Sequence, residues 1–211
     1  MAVTSGDFWD RIAAGYSEQP IADTKSYVRK LAATQALMRQ DMTVLEFGCG
    51  TGSTALEHAS RVAHIDATDI SAAMIAIGRE KAERAGIRTV KFQQCGVDEF
   101  EAPDASYDMV LALNLLHLLP DRTTALAKIH RLLKPGGLFI SSTVCLADGL
   151  WFLRPVIPVM QWLGKAPYVS FVKSRCVLDE IRDAGLVPKE QWRHGRASSL
   201  FVVAERPADH R

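Results

Sequence analysis

Short apolar runs alternate along the chain with stretches whose apolar residues recur every three or four positions. That alternation predicts a parallel sheet covered by crossover helices. Phe8, Trp9, Ile12 and Tyr16 share helical spacing, and a second helical pattern follows Asp23 with Tyr27, Leu31 and Met38. Residues 43–47 read as a strand running into Gly48-Cys49-Gly50-Thr51-Gly52, with a short helix from about Ser53. A second strand over 62–68 ends at Asp69; Ser71 then caps a helix carrying Met74, Ile77 and Ala82, which Gly86 stops. Strands follow at 89–93 and 108–113. Asp121 caps a helix with Ala125, Leu126, Ile129 and Leu133, ended by Pro135-Gly136-Gly137, before a fifth strand at 138–142. Residues 149–163 are aromatic and proline-bearing. A regular helix spans about 174–184, closed by Gly185. Segments at 189–194 and 200–205 then predict an antiparallel closing pair on the sheet. The expected class is α/β, with a doubly wound, seven-stranded, mostly parallel sheet.

Composition narrows the partners. With 211 residues and 48% hydrophobic content, the chain suits one domain. Its 25 Lys+Arg against 24 Asp+Glu leave a net charge of +1 and no basic run, which argues against a nucleic-acid partner. Cys49, Cys95, Cys145 and Cys176 are scattered, with neither a C-x-x-C pair nor zinc-ligand spacing. A reduced cytoplasmic protein without metal is the expectation. The first seven residues lack the basic and apolar regions of a secretory signal. The apolar stretch 138–163 is interrupted by Asp148, Arg154, Pro155 and Pro158, so no membrane span is expected there.

The glycine run between the first strand and its helix carries the chemistry. Glycines let the backbone turn sharply and let a ligand approach without Cβ interference. The spacing is G-x-G-x-G; a dinucleotide fingerprint needs a third glycine at position 53, which is Ser53. A nicotinamide-dependent dehydrogenase is therefore disfavoured. Asp69 ends the second strand and can accept hydrogen bonds from ribose hydroxyls beside that loop. Asp66 competes for the role, but Asp69 is better placed, just before the cap at Ser71.

Taken in order, these motifs resemble the class I S-adenosylmethionine-dependent methyltransferases, especially the small-molecule group that includes the ubiquinone and menaquinone biosynthesis enzymes. The matching residues are Phe8-Trp9-Asp10 through Tyr16, the run Val44 to Gly52, and Asp69-Ile70-Ser71. Further on come Tyr107-Asp108-Met109-Val110, Leu116-His117-Leu118-Leu119-Pro120-Asp121 and Leu132-Leu133-Lys134-Pro135-Gly136-Gly137. Beyond Thr143 the resemblance thins.

The resemblance implies S-adenosylmethionine as cofactor, S-adenosylhomocysteine as product, and a role for each matched position. Glu46, with the backbone of Gly48 and Gly50, faces the amino and carboxylate end of the methionine moiety. Asp69 holds the ribose and Ile70 flanks the adenine, while Cys49, Met74 and Leu115 complete the set. Asn114 lies near the sulfonium, and Tyr16 covers the cofactor from an N-terminal helix. Relatives often carry Gly-Asp after the third strand; here the pair is Cys95-Gly96, so adenine recognition falls to Gly96 and Val97 or to Asp98. The implied organisation is one domain over 1–211. It comprises a helical lid (1–40), a cofactor-binding core (41–143), an aromatic cap (144–173), and a closing helix with two strands (174–211).

His117 borders the expected site and is a candidate general base, or else a packed histidine. The aromatic segment 151–168 is either a helix packed on the sheet or a wall of the acceptor pocket. The expected partner is a small-molecule acceptor, a hydrophobic one included, with no nucleic acid and no stable membrane insertion, for a monomer or homodimer. Exocyclic-amine methylases of nucleic acid carry an Asn/Asp-Pro-Pro-aromatic signature, whereas Asn114 is followed by Leu115-Leu116. A binding protein without methylation activity is the alternative, because no residue is uniquely catalytic.

Overall fold

The computed structural model describes residues 5–194 and 199–208; residues 1–4, 195–198 and 209–211, with the side chains of Trp151 and His194, lie outside the described residues. The chain divides into two units, up to Phe100 and from Glu101 onward.

The first unit opens with α1 (Ser5–Glu18) and α2 (Thr24–Gln35). Then come β1 (Thr43–Phe47), α3 (Ser53–His58), β2 (His64–Asp69), α4 (Ala72–Arg84) and β3 (Val90–Gln94). Its three strands lie in the order β3-β2-β1, all parallel. β1 and β2 are paired from Thr43 against His64 to Phe47 against Thr68, which brings the two strand ends level. Val44, Leu45, Phe47, Ile65 and Ala67 are fully buried. Consecutive burial along β1 is what a strand covered on both faces requires. β2 starts two residues later than the pattern predicts, because Val62 and Ala63 belong to the turn after α3.

The predicted caps form. The Asp23 side chain accepts from the Ser26 N–H at 3.0 Å, and the Ser71 hydroxyl accepts from the Met74 N–H at 3.1 Å. α1 is fastened to the start of α4 by Asp10, whose Oδ1 accepts from the Ser71 hydroxyl at 2.6 Å and the Ala73 N–H at 3.0 Å. A carboxylate at a helix N-terminus also meets the positive end of the dipole.

The second unit contains β4 (Tyr107–Leu113), α5 (Arg122–Leu132), β5 (Leu133–Thr143), α6 (Leu146–Gly149) and α7 (Val156–Trp162). It closes with α8 (Ser174–Asp183), β6 (Val187–His194) and β7 (Ser199–Glu205). Strand order is β4-β5-β7-β6, with β5 parallel to β4 and antiparallel to β7, which pairs antiparallel with β6. Here the sequence pattern and the structure differ. α5 stops at Leu132, and β5 begins at once, at Leu133 rather than at 138. Pro135-Gly136-Gly137 therefore lies inside the strand, absorbed by a register shift between Tyr107 and Met109. Lys134 bonds both oxygens of Asp108 at 2.9 Å and holds that irregular start.

The aromatic segment also differs from the helix-on-sheet expectation. α7 carries no buried residue, and Val156, Val159, Met160 and Trp162 are exposed along it, so it is not a helix packed on the sheet. Pro158 sits in its first turn, where a missing N–H costs no intrahelical bond. Among the described residues no helix is long and apolar enough to cross a membrane.

Candidate cofactor site

The centre of the candidate site is the bend between β1 and α3. Gly48, Gly50 and Gly52 take φ values of +66°, +54° and +75°, a left-handed run that side chains resist. They serve different ends. A Cβ on Gly50 would have nothing within 4 Å, so the backbone lies bare to an approaching ligand. A Cβ on Gly52 would stand 2.5 Å from the Phe92 ring, so that glycine is there for packing. The intervening side chains, Cys49 and Thr51, are buried and leave the bend open. Lys81 reaches from α4 to the Thr51 hydroxyl at 2.9 Å and the Ser53 hydroxyl at 3.3 Å, tethering the far side of the loop.

Asp69, at the tip of β2, turns towards this bend. Its Oδ2 accepts the Gly50 N–H and its Oδ1 the Ser71 N–H, each at 2.9 Å. The carboxylate thus ties the loop to the cap of α4, and the Ile70 N–H also bonds to it. Burial raises its pKa, and the N–H groups of Ser71 and Gly50 work against that rise. Asp66 instead pairs with His64 along β2, at 3.2 Å.

Glu46 is the more unusual group. It sits on β1 just before the bend, 2% exposed, and its Oε2 has no hydrogen-bond partner. Burial, with a smaller contribution from the Asp69 charge, pushes its pKa up to about 8. A buried, unpaired carboxyl of this kind is costly unless a donor or cation completes it. The ammonium of an amino-acid moiety fits that requirement, and the bare Gly50 backbone offers the neighbouring surface. The residues present therefore suit the cofactor that the motifs imply.

The other expected cofactor contacts of this unit divide. Ile70 is partly exposed beside Gly96, where a Cβ would stand 3.4 Å from Ile70 Cγ2. Val97 is buried and Asp98 exposed. Met74 is 2% exposed, its side chain spent in the core, so it presents no open surface. The Cys49 thiol is buried and its pKa raised, chiefly by burial, as suits a space-filling residue. Tyr16 is half exposed on α1, edge-on to Trp9.

Three residues in this unit have tasks that the motifs do not announce. Asp10 fastens α1, as described. Glu99 brings Oε2 to 3.4 Å from the Gly96 N–H, placing a carboxylate where the motif lacks its usual acid. Tyr27 hydrogen-bonds Thr54 and feels the charges of Glu57 and Glu46, and burial raises its phenol pKa.

In the second unit, Asn114 follows β4 with φ +58°, a conformation asparagine tolerates better than most residues. Its N–H donates to the Ser142 carbonyl at 2.7 Å, and its Oδ1 accepts from the Ser142 hydroxyl at 3.3 Å. Leu115 begins the 3-10 turn that contains His117. The His117 ring is 8% exposed, with no partner on Nδ1, and burial brings its pKa down to about 4. It is neutral at physiological pH.

Comparison with known proteins bears on the family. The family described as "Methyltransferase domain" matches residues 44–137, from β1 into β5. The ubiquinone biosynthesis O-methyltransferase of Acinetobacter baumannii is 31% identical over 153 residues, covering 70% of this chain and 64% of that protein. The 27-O-demethylrifamycin SV methyltransferase of Amycolatopsis mediterranei is 30% identical over 190 residues, covering 86% and 65%. The matched regions thus span slightly less than two thirds of these relatives. Among solved structures, the [4+2]-cyclase SpnF superposes with a TM-score of 0.77 at 16% identity, covering 99% of this chain and 98% of its own, a likeness of fold alone. With seven strands in an α/β arrangement, a methyltransferase-domain match over residues 44–137 and these relatives, the chain is similar to the class I S-adenosylmethionine-dependent methyltransferases.

Proposed function

We propose that this chain transfers the methyl group of S-adenosylmethionine to a small-molecule acceptor, a hydrophobic one included, leaving S-adenosylhomocysteine, without a metal, as a cytoplasmic monomer or homodimer. One observation carries the reading: the Asp69 carboxylate turned into an open glycine bend beside the unpaired Glu46 oxygen. In this reading Glu46 and the backbone at Gly48 and Gly50 take the amino-acid end, with Cys49 filling the space behind. Asp69 takes the ribose hydroxyls. Ile70, Gly96 and Val97 flank the adenine, and its amino group is assigned to the carboxylate of Asp98 or of Glu99. Met74 acts only from behind, by packing α4. Asn114 and Leu115 are assigned to the sulfonium side, Tyr16 and residues 1–40 to a lid, 144–173 to a cap, and 174–211 to closure of the core at 41–143.

Bound S-adenosylmethionine supplies a methyl already activated by its sulfonium, so the chain's own task is alignment and exclusion of water. His117 is assigned to the acceptor. With a pKa of about 4 it stays unprotonated from pH 6 to 9 and accepts a hydrogen bond from an acceptor hydroxyl or thiol. Turnover is accordingly expected to show no histidine inflection over that range, and His117→Ala to lower kcat with an unchanged affinity for S-adenosylhomocysteine. A rate that rises about tenfold between pH 6 and 7 and survives the substitution would remove His117 from the reaction.

Calorimetry with S-adenosylmethionine and S-adenosylhomocysteine tests the reading directly. Wild type is expected to bind both, and Asp69→Ala to bind about a hundredfold more weakly, since two charge-assisted hydrogen bonds are lost. No binding by wild type, or indifference to the loss of Asp69, would end the assignment. The alternative, a binding subunit without methylation activity, draws on the SpnF likeness, in which a protein named a cyclase shares the fold. Isotopically methyl-labelled cofactor incubated with cell extract separates the two: labelled product supports transfer, and cofactor binding without any product supports the alternative.

A further inference from the structure

The second unit contains a cleft of about 760 Å³ that the cofactor-site residues do not line. Its walls include Arg122, Arg154, Lys173 and Arg175, with Glu180 as the one carboxylate and Phe171 as an aromatic surface. Four cations against one acid is far from the balance of the whole chain.

The imbalance is sharper than the count. Glu180 is consumed by Arg122, which donates Nε and Nη2 to its two oxygens at 2.7 Å in a bidentate pair. The next acid, Asp148, accepts from the Ser174 N–H at 3.0 Å and from Arg193 at 2.8 Å, and Lys173 meets it through its charge alone, without a salt bridge. Arg154, Lys173 and Arg175 make no salt bridge or side-chain hydrogen bond among the described residues. They come from two separate segments, the turn before α7 and the start of α8, yet converge on one cavity. All three are exposed, and like charges gathered along one concave space repel each other unless an anion joins them.

The cleft also connects to the acceptor side of the unit. Arg122 Nη1 donates to the Ser170 hydroxyl at 2.9 Å; that hydroxyl and the Ser170 N–H donate in turn to the His117 carbonyl at 3.2 and 2.8 Å. Arg122 opens the helix after β4, and Ala147 and Arg154 follow β5, so the cleft is built from segments that leave the carboxyl ends of two parallel strands. Ligands of open α/β sheets bind at that edge.

We propose that this cleft binds an anionic group, a carboxylate or a phosphate, carried by the methyl acceptor, with Arg154, Lys173 and Arg175 as its ligands and Phe171 against the adjoining ring or chain. The inference rests on the methyltransferase reading and gives it a substrate class: an acidic amphiphile. Phosphate and carboxylate share the chemistry the cleft selects, so both are probed.

Benzoate and phenyl phosphate are titrated into the full chain by calorimetry at low and moderate salt. The comparison is with Arg154→Gln, Lys173→Gln and Arg175→Gln combined, and S-adenosylhomocysteine is titrated into the same samples. Wild type is expected to bind one or both anions, more weakly as salt rises. The triple variant should lose roughly tenfold or more in anion affinity while keeping its S-adenosylhomocysteine affinity within about twofold. The stronger of the two anions names the group. No anion binding by wild type, or equal binding by the variant, overturns the proposal. Should the triple variant unfold, the single Lys173→Gln at its exposed position carries the same comparison, with a smaller loss expected and no loss counting against the site. Failure of S-adenosylhomocysteine to bind wild type would instead strike the methyltransferase reading, so the two proposals fail on different measurements.

Discussion

Replacing Glu46 by Gln is expected to weaken S-adenosylmethionine binding about a hundredfold at pH 8 while making the unliganded protein more stable at that pH. Both effects come from one buried carboxyl. In the free protein its pKa of about 8 lies well above the ordinary value near 4.5, chiefly through burial. A folded-state pKa raised in this way stabilises the fold below about pH 4.5 and withdraws that support as pH climbs through 8. Over that window the loss amounts to roughly 5 kcal/mol. The amide in Glu46→Gln does not titrate, so the alkaline limb of the stability profile flattens and the two proteins cross near neutrality. On the acid side the profile belongs to other groups. His58 and His117 are both depressed to about 4 by burial, so their support is present above pH 6.5 and is lost as pH falls towards 4.

Ligand binding reverses the sign at Glu46. An ammonium beside the carboxylate favours its charged form, so binding at pH 7 releases a proton and affinity rises with pH up to about 8. Truncating one partner of such a buried pair costs about 2–5 kcal/mol. Calorimetry in buffers of different ionisation enthalpy reads the proton release, and urea titration at acid and alkaline pH reads the stability crossover. Unchanged affinity in Glu46→Gln with no proton released by wild type would separate this carboxyl from the cofactor. A flat stability profile in wild type would contradict its burial.

How much of this is legible in the sequence follows from the range of the interactions involved. The apolar run Val44-Leu45, the glycines after it and the acid closing β2 are local signals, and the parallel pairing of β1 with β2 needs no more than their lengths to bring Asp69 beside Gly50. Ser71 and Asp121 are readable because a cap acts within three residues. Asp10 is readable only as part of a motif. It acts on Ser71, 61 positions away, and nothing in its neighbourhood announces a cap for a helix elsewhere in the chain. Lys81 on Thr51 is a similar case at 30 positions. Glu99 escapes for a different reason: the spacing points to Asp98, but the turn after Cys95 brings the next carboxylate back over the Gly96 N–H. The early start of β5 is hidden by Pro135 and the two glycines, which usually break an element and here sit at a register shift that accommodates them.

Gly50 and Gly52 are expected to respond to the same substitution in opposite ways. Gly50→Ala and Gly52→Ala each place a Cβ in the left-handed region, which costs about 1–2 kcal/mol. At Gly50 nothing else is met within 4 Å, so stability should fall by no more than that amount. The new methyl stands where the ligand is expected to approach, and S-adenosylhomocysteine affinity should drop roughly tenfold or more. At Gly52 the Cβ would lie 2.5 Å from the Phe92 ring, on which Gly78 of α4 also packs closely, so the ring cannot retreat towards the helix. Overpacking adds about 1–3 kcal/mol to the backbone strain, for a total near about 3 kcal/mol. Phe92→Leu should restore about 1 kcal/mol of that when combined with Gly52→Ala, though alone it destabilises by leaving a gap; this non-additivity is the signature of a shared contact. Denaturant midpoints of wild type, the two single variants at Gly52 and Phe92, and their combination measure it. If Gly50→Ala unfolds the chain as badly as Gly52→Ala, or binds cofactor like wild type, the bare backbone at Gly50 has a structural purpose and not the receptive one assigned to it.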